Sequence, residues 1–278
     1  MNAPEHFFLP DLQNAVDERE LAIDRVGVRG IRYPITLVGS DGTVQPSLAK
    51  FDMFVRLAKH LKGTHMSRFL ELLEAIEGPI SMKSCSALLA DMLARLEADA
   101  GRIEMQFTYF VRKLAPVSRV PSLLDYDITL TAEKLAALEQ RTTLQIVVPV
   151  TSLCPCSKEI SAYGSHNQRS HITLTLNILD KSLTLEEMIG LAERQASCEV
   201  YGLLKRPDEK FVTERAYDNP KFAEDLVRDV AKALMADARV GDFVVEAENF
   251  ESIHNHSAYA RIEHVRDRSS VVPVTPCH

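Results

Sequence analysis

Apolar and polar positions alternate along several stretches of this 278-residue chain. Val26, Val28 and Ile31 recur within residues 20–38, and Phe51, Met53 and Val55 alternate within 45–57. A period of two marks a half-buried strand, so these stretches predict a hairpin. Gly39, Ser40, Asp41 and Gly42 supply its turn. The period then changes. Ser67 is placed to cap the segment RFLELLEAIEG, which Gly78-Pro79 stops. Leu88, Leu89, Met92, Leu93 and Leu96 follow at helical spacing. Strands resume at RIEMQFTYFV, with Ile103, Met105, Phe107 and Tyr109 on one face, and at LDYDITLTA. Residues 133–142 read as a charged helical or loop insertion.

The same order then returns. TLQIVVPV is a strand in which Pro149 requires an edge or an irregularity. HITLTLNIL sets Ile172, Leu174, Leu176 and Ile178 against Thr173, Thr175 and Asn177. Thr184 and Glu187 form a capping box that opens a helix to about Leu204. Asn219 with Pro220 opens another, carrying Phe222, Leu226, Val230 and Leu234. FVVEAENFESIHNHSAYARIE is one or two strands. The order is ββααββ, twice. It predicts an α+β fold of two tandem modules, each an antiparallel sheet with helices on one face. The expected division is a tail at 1–19, modules at 20–142 and 143–266, and a tail at 267–278.

Composition narrows the classes. A net charge of −7 argues against broad nucleic-acid binding, which needs a dominant basic surface. No apolar run approaches the roughly 20 residues that span a bilayer, and the N-terminus has no charged-then-apolar signal pattern. A cytoplasmic protein with neither nucleic-acid nor membrane partners is expected. Five cysteines, an odd number in a reducing compartment, disfavour structural disulfides.

The chemistry concentrates in TSLCPCSKEISAYGSHNQRSH, residues 151–171. Thiolate and imidazole are favoured ligands for zinc and related divalent metals. If 151–154 end a strand and 155–169 form a loop, Cys154 and His166 converge. That pair fits an open three-ligand site better than a closed four-ligand one. Cys156 is an alternative ligand, since i and i+2 share a strand face, or a small residue that shapes the loop. His171 reads as structural or surface. Cys85 and Cys198 read as core residues, and Cys277 and His278 receive no role. A third ligand is sought in KRPDEKFVTERAYDNP, otherwise a solvated charged loop, or in ESIHNHSAY, where Ser252, His254 and His256 share a strand face. Glu224 reads as an exposed helix charge that suits the N-terminal dipole.

Seven stretches resemble one family: LCPCSKEIS, YGSHNQRS, LLKRPDEK, TERAYDNPKFAED, HNHSAYA, KGTHMSRF and VGVRGIRYPI. They are similar to the type IB GTP cyclohydrolases I over almost the whole chain. The resemblance implies the tunnelling fold and a homotetramer with sites at subunit interfaces. It implies conversion of GTP and water to 7,8-dihydroneopterin triphosphate and formate, the first step toward folate-type pterins, with metal-activated water adding at guanine C8. It puts a divalent metal (zinc, manganese or iron) on Cys154, His166 and a carboxylate of the P-D-E stretch, Glu209 or the adjacent Asp208. It makes Glu224 the guanine anchor and His254 the active-site histidine, with His256 as competitor. Lys158, Arg169, Lys205, Arg206 and Arg68 are candidates for the triphosphate, and His65 is a further candidate site residue. Three other readings stand beside this one. They are a variant cyclohydrolase giving a cyclic-phosphate pterin, an NADPH-dependent nitrile reductase with Cys154 or Cys156 as nucleophile, and a non-catalytic zinc protein with Cys156 among four ligands.

Overall fold

A computed structural model describes Gln13 and residues 15–266. The expected C-terminal tail, with Cys277 and His278, lies outside the described residues, as does most of the N-terminal tail. Strands β1 (Ile23–Val38) and β2 (Val44–Leu57) form the first hairpin. Helices α1 (Ser67–Glu74) and α2 (Met82–Arg95) follow, then strands β3 (Gly101–Leu114) and β4 (Pro121–Lys134). The second half runs β5 (Arg141–Leu153), α3 (Pro155–Ile160), β6 (Asn167–Ile178), α4 (Leu185–Gln195), β7 (Cys198–Glu199), α5 (Arg206–Asp218), α6 (Ala223–Met235), β8 (Val240–Phe250) and β9 (Ser257–His264).

The expectation of two separate sheets is corrected. The strands form one nine-stranded antiparallel sheet in the order β1-β2-β3-β4-β5-β6-β8-β9, with the two-residue β7 beside β5. The join is the β4–β5 ladder, which runs from Asp127 opposite Val147 to Glu133 opposite Arg141. Pro149 lies just past the end of that ladder, facing His171 of β6. There its missing N–H removes no β4–β5 bond. Residues 135–140 are a loop, not a helix.

The alternation read in β6 holds: Ile172, Leu174 and Leu176 are fully buried. On α6, Leu226, Val230 and Leu234 are equally buried against the sheet, each contributing about 1.5–3 kcal/mol. One apolar core runs continuously under both halves. Two buried tyrosines cross-link the halves: Tyr109 of β3 donates to Glu186 of α4 (2.6 Å), and Tyr126 of β4 donates to Glu193 (2.8 Å). Lys113 adds an ion pair to Glu193 at 2.7 Å.

Three helix boundaries differ from expectation. Met66, not Ser67, occupies the α1 cap position. Helix α4 does begin with the Thr184/Glu187 capping box but stops at Gln195, because Ala196 turns extended to feed β7. Asn219 closes α5 instead of opening α6. Its N–H donates back to Ala216 and Arg215, and its side chain donates to Ala196 O at 2.8 Å. Phe222 caps α6 and stays exposed, outside the buried stripe. Residues 206–218 are a helix with one buried carboxylate, where a solvated loop was the alternative.

Candidate metal centre

At Cys154 the chain leaves β5 and caps α3, with Pro155 in the first turn. Proline suits that position because its missing N–H has no helical partner there anyway. The Ser157 N–H donates to Cys154 Sγ at 3.5 Å. The loop closes on itself: Cys154 N–H donates to His166 O (3.1 Å), and Ser165 Oγ donates to Cys154 O (2.7 Å). Cys154 and His166 are therefore backbone neighbours at one end of the β5–β6 hairpin. The expectation of a shared strand face for Cys154 and Cys156 fails, because α3 replaces the extended chain. At about 100° per residue, positions two apart face away from each other on a helix. Cys156 is exposed and Cys154 half-buried.

The His166 ring is 14 % exposed and meets two acceptors on its Nδ1 side. Gln168 Oε1 lies 2.8 Å from Nδ1, and Glu251 Oε2 lies 3.8 Å away. Behind Gln168, its Nε2 donates to Ser152 Oγ (3.1 Å), and Ser152 pairs with Ser170 Oγ at 2.7 Å. Both serines are fully buried. Across the ladder from Ser170 sits Asn249, whose buried Oδ1 has no hydrogen-bond partner among the described residues. Neither Gln168 nor Glu251 was singled out from the sequence. The i, i+2 spacing of His166 and Gln168 entering a strand was the signal available for the first.

The remaining predicted residues are more scattered. Asp208 is fully buried at the N-terminus of α5 and is saturated. It accepts from the N–H groups of Val117, Ser118 and Lys205 (each 2.8 Å) and from Ser118 Oγ (2.6 Å). Burial pushes its carboxyl up, but those hydrogen bonds outweigh it and hold the group well below the usual carboxylate range. Glu209, its neighbour, is exposed. Among the described residues no three His, Cys, Asp or Glu side chains gather as a metal would require. One chain thus does not bring Glu209 to Cys154 and His166.

Glu224 is exposed in the first turn of α6. His254 and His256 lie in the exposed loop between β8 and β9, not on a strand, with their rings stacked at 5.0 Å. That loop starts at Glu251, so the histidine pair is tethered three residues from the His166 contact. Lys158 donates to Tyr217 O and lies 4.2 Å over the Tyr217 ring. Arg169, Lys205 and Arg206 are exposed. Arg68 donates to Arg95 O at 2.7 Å, and His65 is partly buried ahead of α1. His171 packs edge-on against Phe250. Burial, helped by Arg169, holds its pKa below the ordinary value. Cys85 and Cys198 are buried as expected, and burial pushes their thiols up to about 12 and about 11.

A thiol and an imidazole at one hairpin end suit a borderline divalent metal. The donor pair fits such an ion, and among the described residues no third His, Cys, Asp or Glu joins it.

The family model described as type I GTP cyclohydrolase folE2 matches residues 9–260. The chain belongs to that family. GTP cyclohydrolase FolE2 1 of Dechloromonas aromatica (strain RCB) is 59 % identical over 94 % of this chain and 98 % of the relative. GTP cyclohydrolase FolE2 of Herminiimonas arsenicoxydans is 60 % identical over 92 % and 97 %. The corresponding protein of Azoarcus sp. (strain BH72) is 56 % identical over 95 % and 97 %. Among solved structures, a highly active mutant of the Bacillus sp. TB-90 urate oxidase superposes with a TM-score of 0.50 at 8 % identity. It covers 88 % of this chain and all of that one. The likeness concerns the fold alone and agrees with the tunnelling fold that the resemblance implies. Among the described residues no helix is long and apolar enough to cross a membrane.

Proposed function

We propose that this folE2-family chain is a metal-dependent GTP cyclohydrolase I that converts GTP and water to 7,8-dihydroneopterin triphosphate and formate. The cyclohydrolase activity and its place in folate biosynthesis rest on family membership at 56–60 % identity over nearly the full chain. The observation that carries the metal reading is the Cys154–His166 pair, with His166 Nδ1 already engaged by Gln168.

Guanine C8 is a weak electrophile; Cys154 and His166 would hold a divalent metal, which would supply hydroxide at neutral pH by lowering the pKa of water. The chain's own residues do the rest. Glu224 accepts two parallel hydrogen bonds from guanine N1–H and the 2-amino group, a donor pair adenine lacks. His254, with His256 stacked on it, moves protons to and from the ring nitrogens as the C8 carbon leaves as formate. Lys158, Arg169, Lys205 and Arg206 are the cations proposed for the triphosphate.

Glu209, Glu224 and His254 are all exposed in a single chain, and among the described residues the sheet ends at β1 and β9, with a single Leu37–Ile80 bridge on the outer side of β1. Both features support a homotetramer that completes each site between subunits, with Glu209 supplying the third ligand there.

Incubation of the metal-loaded protein with GTP tests the activity. Formate and a pterin triphosphate should appear in equal amounts. A cyclic-phosphate pterin would assign the variant reaction. NADPH consumption with a nitrile-bearing deazapurine, and no formate from GTP, would overturn the proposal.

A further inference from the structure

We infer that Gln168 is a positioning residue that fixes the tautomer of His166, holding the proton on Nδ1 and leaving Nε2 for the metal. The inference rests on the reading of Cys154 and His166 as metal ligands. It follows from the direction of one hydrogen-bond chain.

The chain runs His166 Nδ1, Gln168 Oε1, Gln168 Nε2, Ser152 Oγ, Ser170 Oγ, with separations of 2.8, 3.1 and 2.7 Å between residues. Hydroxyls donate or accept, and an amide can be flipped, so these distances alone permit two directions. In one, Nδ1–H donates and every later member donates onward toward Ser170. In the other, the amide is reversed and its NH₂ donates to a bare Nδ1 lone pair. Glu251 decides between them. Its carboxyl Oε2 lies 3.8 Å from the same Nδ1, so a second oxygen converges on that nitrogen. A bare lone pair facing two oxygens is repelled, whereas an N–H is attracted. The proton therefore sits on Nδ1.

The amide is also well placed to hold that direction. Gln168 is 7 % exposed, and Ser152 and Ser170 are fully buried on adjacent strands. Ser152 faces Gln168 directly in the β5–β6 register. The acceptor is thus anchored in the sheet, while His166 stands at its end. Acceptors behind a metal-bound histidine set its tautomer, ring orientation and basicity.

The test begins with metal-free wild-type protein carrying ¹⁵N-histidine, its His166 signals assigned with His166→Asn. The Nδ1–H tautomer is expected, and the Nε2–H tautomer would overturn the inference. Cobalt(II) titration follows, read through the thiolate charge-transfer band. Gln168→Leu should weaken cobalt binding by about 10- to 100-fold, and Gln168→Glu, which keeps an acceptor for Nδ1–H, should stay within about threefold of wild type. Wild-type affinity in Gln168→Leu would overturn the inference. A Gln168→Leu protein that does not fold leaves the decision to the wild-type tautomer. Absence of the band in wild type would overturn the metal reading of Cys154, and the tautomer would still decide whether Gln168 directs the ring.

Discussion

Asp208 and the Cys154–His166 pair offer comparable donor atoms to a metal, and the chain treats them in opposite ways. Asp208 is fully buried and takes four hydrogen bonds, three of them from main-chain N–H groups. Its lone pairs are spent on joining the β3–β4 turn to the start of α5. Cys154 keeps its thiol half-exposed with one weak N–H contact, and His166 is engaged through Nδ1 alone. Both places are rich in ligating residue types. What separates them is whether the protein has already filled the donors' valences. A saturated carboxylate holds structure, whereas the donors at the hairpin end stay available to a ligand.

The sharpest way to break this comparison is to remove each donor. Cys154→Ala should lower turnover of GTP by about 10³-fold or more while shifting the thermal midpoint by less than about 2 °C. Cys156→Ala, at an exposed helix position, should keep most of the activity. Full activity in Cys154→Ala with loss in Cys156→Ala would reverse the ligand assignment. Asp208→Ala should do the opposite of Cys154→Ala. It leaves three main-chain N–H groups without their acceptor and should lower the thermal midpoint by roughly 5 °C or more, with cobalt affinity of the folded fraction unchanged. Its neighbour supplies the control. Glu209→Ala should leave the midpoint within about 1 °C but weaken metal binding by about tenfold or more. Calorimetry and metal titration on the same samples read both.

How far the sequence could anticipate this depends on the range of the interactions. The β6 alternation was legible because a half-buried strand imposes a period of two on neighbouring residues. The Thr184/Glu187 capping box was legible for the same reason: its partners are three residues apart. Asn219 misled because its side chain serves either end of a helix, and its partner, Ala196, lies 23 residues back. His254 and His256 imitated a strand, since i and i+2 also stack in a loop. The single sheet depended on β4 pairing with β5, which no local pattern records. Within the site, Cys154 and His166 stood out by residue type and spacing. The choice between Asp208 and Glu209 did not, because Ser118, which commits Asp208 to structure, is 90 residues away. The functional roles of Glu224, Glu209 and His254 came from family resemblance alone.

A subtler contrast concerns pH. The folded-state pKa of Asp208 lies below its unfolded value. Its contribution is complete above the ordinary carboxylate value of about 4 and is progressively lost as the pH falls below that. The difference in thermal midpoint between wild type and Asp208→Asn should therefore be largest near pH 7 and shrink by pH 3. A gap that widened on acidification would contradict the saturated-carboxylate account. The smallest expected effect is in thiol labelling. Cys85 and Cys198 are buried with raised pKa values, so alkylation mapped by mass spectrometry should reach Cys156 and Cys154 first. Added zinc should protect Cys154 and leave Cys156 reactive.

Metal-dependent turnover through Cys154 is the central prediction. Chelator-stripped protein, the same protein reloaded with zinc, manganese or iron(II), and Cys154→Ala treated identically are each given GTP, with formate release followed over time. Formate should appear in at least one reloaded wild-type sample, and neither the stripped protein nor Cys154→Ala should release it. Equal formate release from stripped and reloaded wild type, or from Cys154→Ala, would contradict it.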